Sequence, residues 1–187
     1  MPPMPSLDRA AAVLLVIDVQ EKLMPVIDDH PFIETNIDRL VRGTHLLGVP
    51  AMLTEQYVKG LGPTVPAIRR AFEETSGYTP IEKSCFSGYR CGPFNERLRA
   101  LGRKQVLVAG IETHVCVFQT VRDLLENGFD VTLLADAVSS RTPRNRDIAT
   151  RRMVAEGARL SSTEMALFDL LAVSGTDDFR AIAKLVK

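Results

Sequence analysis

The sequence has few cysteines and no excess of charge of either sign, and each shortage excludes a class of protein. Its three cysteines, Cys85, Cys91 and Cys116, are too few and too irregularly spaced for a disulfide framework, and no Cys-x-x-Cys pair or Cys/His zinc spacing occurs. The 23 basic and 23 acidic side chains cancel. Without a net charge the molecule has no overall field to gather phosphates or anionic lipids, so we expect neither nucleic acid nor membrane partners.

Long hydrophobic runs and an export signal are also missing. The apolar run Ala10–Ile17 stops at Asp18, far short of the roughly 20 residues that a membrane-spanning helix needs. The start, Met1–Asp8, is polar and rich in proline, without a basic stretch, an apolar run and a small-residue cleavage site. We therefore expect a soluble protein in a reducing cytoplasm, with residues 1–8 as a flexible extension.

The length and the apolar content indicate a single folding unit. The chain has 187 residues, of which 45% are hydrophobic. A chain of this size can bury about two thirds of its unfolded surface around one core. No Ser/Gly linker, repeat or low-complexity tract interrupts it. We therefore predict one domain over residues 1–187.

Short runs rich in valine, leucine and isoleucine recur along the chain. Such runs are typical of strands that are buried on both faces of a parallel sheet. They predict strands at Ala11–Ile17, Val49–Leu53, Thr79–Glu82, Gln105–Ala109, Asp130–Leu134 and Ala158–Ser161. The third and the sixth have the weakest pattern.

Helical patterns lie between the predicted strands. An apolar stripe runs from Phe32 to Leu47, and Gly48 follows where a glycine stop is expected. Further helices are predicted at Val65–Glu74, Pro93–Leu101, Val115–Asn127, Asn145–Glu156 and after the capping-box pair Ser161 and Glu164. This alternation predicts a doubly wound, three-layer α/β/α domain with a six-stranded parallel sheet in the order 3-2-1-4-5-6.

Three reactive side chains follow predicted strands: Asp18 the first, Lys83 the third and Cys116 the fourth. Doubly wound folds bind ligands where the strand order reverses, so Asp18 and Cys116 are expected to meet there. Lys83 starts at the sheet edge and has to reach inward with its long side chain. A thiolate is a strong nucleophile, a carboxylate can accept the thiol proton, and an ammonium stabilises both anions.

Each of these residues also has an ordinary structural explanation. A lone cysteine is more often a small core residue, an aspartate after a strand commonly caps a helix, and a lysine is usually a solvated charge. Only their joint placement favours a catalytic site. The ionisation of Cys116 is left open, because Lys83 and the helix start favour a thiolate whereas an ionised Asp18 opposes it.

Four segments resemble the isochorismatase-like cysteine hydrolase superfamily, in that family's order. VLVAGIETHVCV looks like its nucleophile segment, LLVIDVQ like its aspartate segment, IEKSCFSGY like its lysine segment, and VTLLADAVSSR like the next strand and loop. The run EQY followed by KGLGPTVP is similar to the small isochorismatase-domain-containing hydrolases of unassigned substrate. The resemblance implies an isochorismatase-like fold and a homo-oligomer, dimeric or larger.

The resemblance also assigns roles to residues. It implies that Cys116 attacks the substrate, Asp18 exchanges its proton and Lys83 tunes both. A cis peptide between Ile111 and Glu112 would aim the N–H groups of Glu112 and Cys116 at a developing oxyanion. The candidate substrate-binding residues are Leu23, Gln56, Tyr57, Phe86 and His114. The leucine, tyrosine and phenylalanine among them are at least as easily explained as core residues.

One departure from the superfamily concerns metal. Nicotinamidases carry metal-binding histidines after the second strand, but here that stretch reads LTEQYVKGLG, and no histidine lies between His45 and His114. We therefore expect no metal site and no cofactor. His114 stands beside the nucleophile, yet the resemblance gives the role of base to Asp18, which leaves His114 as a structural or substrate-contacting residue.

The leading prediction is a hydrolase that cleaves a C–N bond of a small amide or carbamoyl compound through a thioester, with water as the second substrate. Hydrolysis of a vinyl ether, as in isochorismate, needs no sulfur nucleophile and is an alternative. So are a non-catalytic isochorismatase-like scaffold and a thiol redox sensor that uses Cys85, Cys91 and Cys116. The sequence contains no GxGxxG or P-loop spacing that would favour a nucleotide site.

Overall fold

The computed structural model describes residues 6–187. Its strands form one six-stranded sheet in the order β3-β2-β1-β4-β5-β6, and every neighbouring pair is parallel. The strands are β1 Ala12–Ile17, β2 Ala51–Gln56, β3 Ile81–Lys83, β4 Gln105–Ile111, β5 Asp130–Ser139 and β6 Arg159–Ser161. The predicted architecture and strand order are confirmed, and the order reverses between β1 and β4.

Helices cover both faces of the sheet. They are α1 His30–Leu46, α2 Val58–Leu61, α3 Pro66–Glu73, α4 Gly92–Ala100, α5 Phe118–Glu126, α6 Pro143–Ala155, α7 Thr163–Leu171 and α8 Asp177–Leu185. Short 3-10 turns lie at Met24–Val26 and Gly88–Arg90, and a π-helical turn lies at Thr113–Val117. The short α2 and the C-terminal α8 were not predicted from the sequence.

The core consists of one apolar layer on each face of the sheet, and β1 contributes to both. Leu14 and Val16 belong to the layer formed with α1, α3, α7 and α8, whereas Val13 and Leu15 belong to the layer formed with α4, α5 and α6. Every residue of β1 is buried. This explains why the strand has a continuous apolar run rather than an alternating pattern.

The observed element boundaries differ from the predicted ones where polar residues enter a strand or a cap. Strand β2 continues past Leu53 to Gln56, and β5 continues past Leu134 to Ser139. A register shift in the pairing of β4 with β5 lets the far end of β5 remain in the sheet. Helix α7 is capped by Ser162 rather than Ser161, because the Ser162 side chain accepts the N–H of Met165.

The end of the predicted N-terminal extension, residues 6–8, contacts the rest of the domain. Leu7 is buried and its N–H donates to Asp169 Oδ2 at 3.0 Å, while the Asp8 N–H donates to Gln105 Oε1 at 2.8 Å. These contacts anchor the segment beside the start of β4. The rest of the predicted extension, residues 1–5, lies outside the described residues. Within residues 6–187 no helix is both long enough and apolar enough to cross a bilayer.

A glycine permits the close approach of β1 and β4 at the point where the strand order reverses. Gly110 has a φ of +115°, and a Cβ atom built on it would lie 2.1 Å from the carbonyl oxygen of Ile17. Only a residue without a side chain fits this space and this backbone conformation. Because Asp18 follows Ile17, the bare backbone of Gly110 brings the end of β1 next to the segment that carries Cys116.

Candidate active site

Asp18 and Lys83 form a buried ion pair at the carboxyl end of the sheet. Lys83 Nζ lies 2.6 Å from Asp18 Oδ2, and both side chains are 0% exposed. Asp18 follows β1 and Lys83 ends β3, so the lysine side chain extends across the end of β2, which lies between them. The Lys83 side chain therefore extends inward from the edge strand, as we expected from the sequence.

Asp18 is held through its backbone as well as its side chain. Its φ of +51° lies in the left-handed region, which residues other than glycine seldom adopt. The Asp18 N–H donates to the carbonyl of Thr54 at 3.1 Å, and the Thr54 hydroxyl donates to Asp18 Oδ1 at 2.7 Å. Both carboxylate oxygens therefore accept hydrogen bonds, Oδ2 from Lys83 and Oδ1 from Thr54.

The Lys83 ammonium is surrounded by oxygen acceptors in addition to Asp18. Its Nζ lies 2.9 Å from Gln56 Oε1, 3.2 Å from the Phe86 carbonyl and 3.3 Å from the Cys85 carbonyl. An ammonium has three protons to donate, so these acceptors satisfy it fully. The turn that follows β3 thus folds around the charge, which compensates for its removal from water.

Cys116 lies in the π-helical turn Thr113–Val117, which follows β4, and its residue is 7% exposed. The charges of Asp18 and Lys83 both act on its thiol. Burial raises the pKa of the thiol to about 12; the negative charge of Asp18 acts in the same direction, and Lys83 acts against both. The resting residue is therefore a neutral thiol at neutral pH, because burial decides a competition that the sequence left open.

The turn that carries Cys116 is tied to two other segments. The peptide bond between Ile111 and Glu112 is cis. The Glu112 carboxylate accepts both the backbone N–H and the side-chain Nε–H of Arg141, each at 3.0 Å. The Thr120 hydroxyl donates to the Cys116 carbonyl at 2.7 Å and accepts the N–H of Gly88 at 2.9 Å. These bonds fix the turn against the loop after β5 and against the segment after Lys83.

The candidate substrate-binding residues occupy different surroundings. Gln56 contacts the Lys83 ammonium, and the Tyr57 N–H donates to the Lys83 carbonyl at 3.0 Å. Tyr57 and Phe86 are 62% and 52% exposed; the Tyr57 N–H donates to the Lys83 carbonyl, and the Phe86 carbonyl accepts from the Lys83 ammonium. Leu23 is partly buried and packs against the core layer that contains α1. Gln56, Tyr57 and Phe86 therefore surround Lys83, whereas Leu23 belongs in part to the core.

Both ring nitrogens of His114 face polar partners outside the reactive cluster. Nδ1 lies 3.0 Å from Ser140 Oγ, and Nε2 lies 3.5 Å from Asn145 Nδ2. These contacts connect His114 to the segment after β5.

The polar end of β2 contains supporting residues that the sequence did not reveal. Thr54 binds Asp18, and the buried Glu55 accepts hydrogen bonds through Oε1 from the Thr64 N–H at 2.7 Å, the Thr64 hydroxyl at 2.6 Å and the Tyr78 hydroxyl. Glu55 thereby holds Thr64 against the end of β2 and fixes both ends of the loop that contains Tyr57. Polar residues at the end of a buried strand are the signal that could have found them. Within residues 6–187, no three His, Cys, Asp or Glu side chains are grouped so as to hold a metal ion.

Comparisons with known proteins identify the family to which the chain is similar. The family described as "Isochorismatase domain" matches residues 12–165. The "Secreted isochorismatase effector Isc1" of Phytophthora sojae is 39% identical over 95% of this chain and 85% of that protein. The "Isochorismatase domain-containing protein 2" of Homo sapiens is 38% identical over 98% of this chain and 88% of that protein.

Two solved structures share the fold. The "MAR1 Ribonuclease from Caenorhabditis elegans" has a TM-score of 0.89 and 37% identity, and the match covers 97% of this chain and 92% of that one. The YcaC gene product of Escherichia coli, described as an octameric hydrolase of unknown specificity, has a TM-score of 0.90 and 25% identity. That match covers 99% of this chain and 92% of the YcaC chain.

The parallel sheet with its central reversal and the buried cluster of Asp18, Lys83 and Cys116 define a doubly wound α/β protein with a polar site at the switch point. The chain belongs to the isochorismatase family, whose domain matches most of its length. Membership of this family supports a hydrolase.

Proposed function

We propose that this protein is a single-domain cysteine hydrolase that cleaves the C–N bond of a small amide or carbamoyl compound. One observation carries the proposal: the buried Cys116 thiol interacts electrostatically with both partners of the buried Asp18–Lys83 pair. This combination supplies a nucleophile, a proton acceptor and a fixed positive charge. A thiol attacks a carbonyl carbon readily, which favours an amide over a vinyl ether as the substrate.

The first half of the reaction forms a thioester. Because the resting thiol is neutral, its proton passes to Asp18 as the sulfur attacks the carbonyl carbon. The carbonyl oxygen takes up the negative charge, and the N–H groups of Glu112 and Cys116 would stabilise it. Collapse of this intermediate breaks the C–N bond, and Asp18 returns the proton to the departing nitrogen.

The second half of the reaction consumes water. Asp18 accepts a proton from a water molecule whose oxygen attacks the thioester carbon, and the C–S bond then breaks. Asp18 returns that proton to the sulfur, and an acid or carbamate leaves the site. Lys83 holds Asp18 in place in both halves, because it contacts Oδ2 directly and is itself held by Gln56 and by the turn after β3.

The surroundings of the cluster suit a small substrate. Gln56 and His114 would present polar groups, while Tyr57, Phe86 and Leu23 would present apolar ones. The exposed rings of Tyr57 and Phe86 are also suited to contact with another subunit, and the Escherichia coli YcaC protein is octameric. We therefore propose that the protein forms a homo-oligomer. We also propose that it acts in the cytoplasm without a cofactor, although one relative is a secreted effector.

A substrate screen with a cysteine variant tests the proposal. Wild type, Cys116→Ala and the control Cys91→Ala are incubated with small amides, carbamoyl compounds, isochorismate and single-stranded RNA. We expect wild type and Cys91→Ala to hydrolyse an amide or carbamoyl compound, and Cys116→Ala to lose that activity because it lacks the nucleophile. Mass spectrometry should detect an acyl group on Cys116 of the wild type during turnover.

Several outcomes of this screen contradict the proposal. Amide hydrolysis that continues in Cys116→Ala excludes the thioester. Hydrolysis of isochorismate alone, unaffected by the loss of sulfur, selects the vinyl ether alternative. Cleavage of RNA alone assigns this chain the activity for which the Caenorhabditis elegans relative is named.

Chelation is expected to leave the activity unchanged. The carboxylate of Glu55 is already engaged by Thr64 and Tyr78, and the stretch after β2 contains no histidine. The measurement compares the activity of dialysed protein with and without EDTA, alongside metal analysis of both samples. Activity that disappears on chelation and returns with zinc or iron contradicts this prediction.

A further inference from the structure

Thr54 contacts the proposed general base through both its main chain and its side chain. It lies on β2 in register with Ile17 of β1 and is 0% exposed. Its carbonyl accepts the Asp18 N–H at 3.1 Å, and its hydroxyl donates to Asp18 Oδ1 at 2.7 Å. No solvent reaches this hydroxyl, so its hydrogen-bonding capacity is directed to the carboxylate.

A second buried threonine shows that such a contact is not a general property of hydroxyls in this sheet. Thr132 lies on β5 and is 3% exposed, yet its hydroxyl has no hydrogen-bond partner within the described part of the chain. A valine would fill either position with nearly the same shape. Thr54 therefore differs from Thr132 in the partner of its hydroxyl rather than in its packing.

We propose that Thr54 is a positioning residue for the hydrolase, which fixes the plane of the Asp18 carboxylate and favours its ionised form. Lys83 holds Oδ2 and the Thr54 hydroxyl holds Oδ1, so the two bonds together prevent rotation of the carboxylate about its Cβ–Cγ bond. A hydrogen bond donated to a carboxylate stabilises its charged form, which is the form that can accept the Cys116 proton. This inference rests on the proposed function, because it presupposes the acid–base role of Asp18.

The test uses variants that differ by the hydroxyl alone. Thr54→Val replaces the hydroxyl with a methyl group, and Thr132→Val makes the same change where the hydroxyl has no partner. Thr54→Ser and Thr54→Ala form a second pair, in which both lose the methyl group and only the serine keeps the hydroxyl. The readout is the rate of iodoacetamide alkylation at Cys116 between pH 4 and pH 10, resolved by peptide mass spectrometry, with thermal unfolding measured in parallel.

We expect the acidic limb of the profile to move to higher pH by about one to two units in Thr54→Val and Thr54→Ala. On that limb the two variants should react about 10-fold to 100-fold more slowly than wild type, because a hydrogen bond to a charged group is lost. Thr54→Ser and Thr132→Val should keep the wild-type midpoint. The serine and alanine pair gives this comparison even if the valine variant fails to fold.

Asp18→Asn, measured in the same way, separates failure of the inference from failure of the proposed function. If Asp18→Asn changes the profile while the valine and alanine variants keep the wild-type midpoint, Thr54 has no positioning role and the proposed function stands. A uniform decrease at every pH, or a serine variant no better than alanine, also overturns the inference. If Asp18→Asn itself keeps the wild-type profile, the base is misassigned and both proposals fail.

Discussion

Replacement of Asp18 by asparagine is expected to abolish turnover while the protein stays folded. A positioned acid–base group contributes about 10²-fold to 10⁴-fold to a rate, and Asp18 would act in both halves of the reaction, so kcat/KM should fall by at least this much. The asparagine can still accept the Thr54 hydroxyl through its amide oxygen. Lys83 keeps the oxygen atoms of Gln56, Cys85 and Phe86 as acceptors, which limits the loss of stability.

The alkylation profile of Asp18→Asn distinguishes a lost base from a damaged site. The charge of Asp18 helps to raise the pKa of the Cys116 thiol to about 12, so the asparagine variant should have a lower thiol pKa than wild type. Near neutral pH it should nevertheless react more slowly, because no group accepts the proton. Its rate should rise about tenfold per pH unit, since only the thiolate then reacts, whereas the wild-type rate should depend less steeply on pH because Asp18 accepts the proton. Identical profiles in the two proteins would remove Asp18 from the mechanism.

Replacement of Lys83 by methionine is expected to cause the largest loss of stability of any single change at the site. It leaves the fully buried Asp18 carboxylate without its cation, and removal of one partner of a buried ion pair costs about 3 to 5 kcal/mol of the free energy of unfolding. The Gln56 side chain and the carbonyls of Cys85 and Phe86 lose their donor at the same time. Urea unfolding of wild type and variant measures the difference.

Two further variants serve as controls for Lys83→Met. Lys59 is an exposed lysine on α2, so Lys59→Met should change stability by less than about 0.5 kcal/mol. The double variant Asp18→Asn with Lys83→Met removes both charges and should recover part of the stability.

Lys83→Met should also alkylate more slowly at Cys116 near neutral pH, because Lys83 lowers the pKa of that thiol. Wild-type stability in Lys83→Met, or an unchanged alkylation rate, contradicts the role given to the pair.

The fold could be predicted because the apolar content of each strand is visible in the sequence. The run that contains β1 is buried on both faces, and such burial requires helices on both sides of a parallel sheet. The end of β2 could not be predicted in this way, since Thr54, Glu55 and Gln56 are polar. These three residues hydrogen-bond to Asp18, Thr64 and Lys83 at the site, and this polar role is the reason the strand shows no apolar pattern there. The apolar pattern of β2 therefore ends where its side chains take part in the site.

The positions of the reactive residues could be predicted, but their ionisation could not. Asp18 follows β1, Lys83 ends β3 and Cys116 lies shortly after β4, and the parallel sheet brings the carboxyl ends of these strands to one edge. The ionisation of Cys116 depends on how much water reaches the sulfur. The access of water is set by the packing of several elements around the turn Thr113–Val117, and it has no local signature in the sequence.

The buried thiol of Cys116, whose pKa is raised, should be less reactive towards general thiol reagents than an exposed cysteine. Peroxide and bulky thiol reagents act on exposed thiolates, so the exposed Cys85 should be consumed by such reagents before Cys116. In the proposed mechanism, a compound reacts with Cys116 only if its electrophilic carbon lies next to the sulfur when Asp18 takes the proton. Selective covalent inhibitors of this protein should therefore be compact amide mimics rather than strongly reactive general electrophiles.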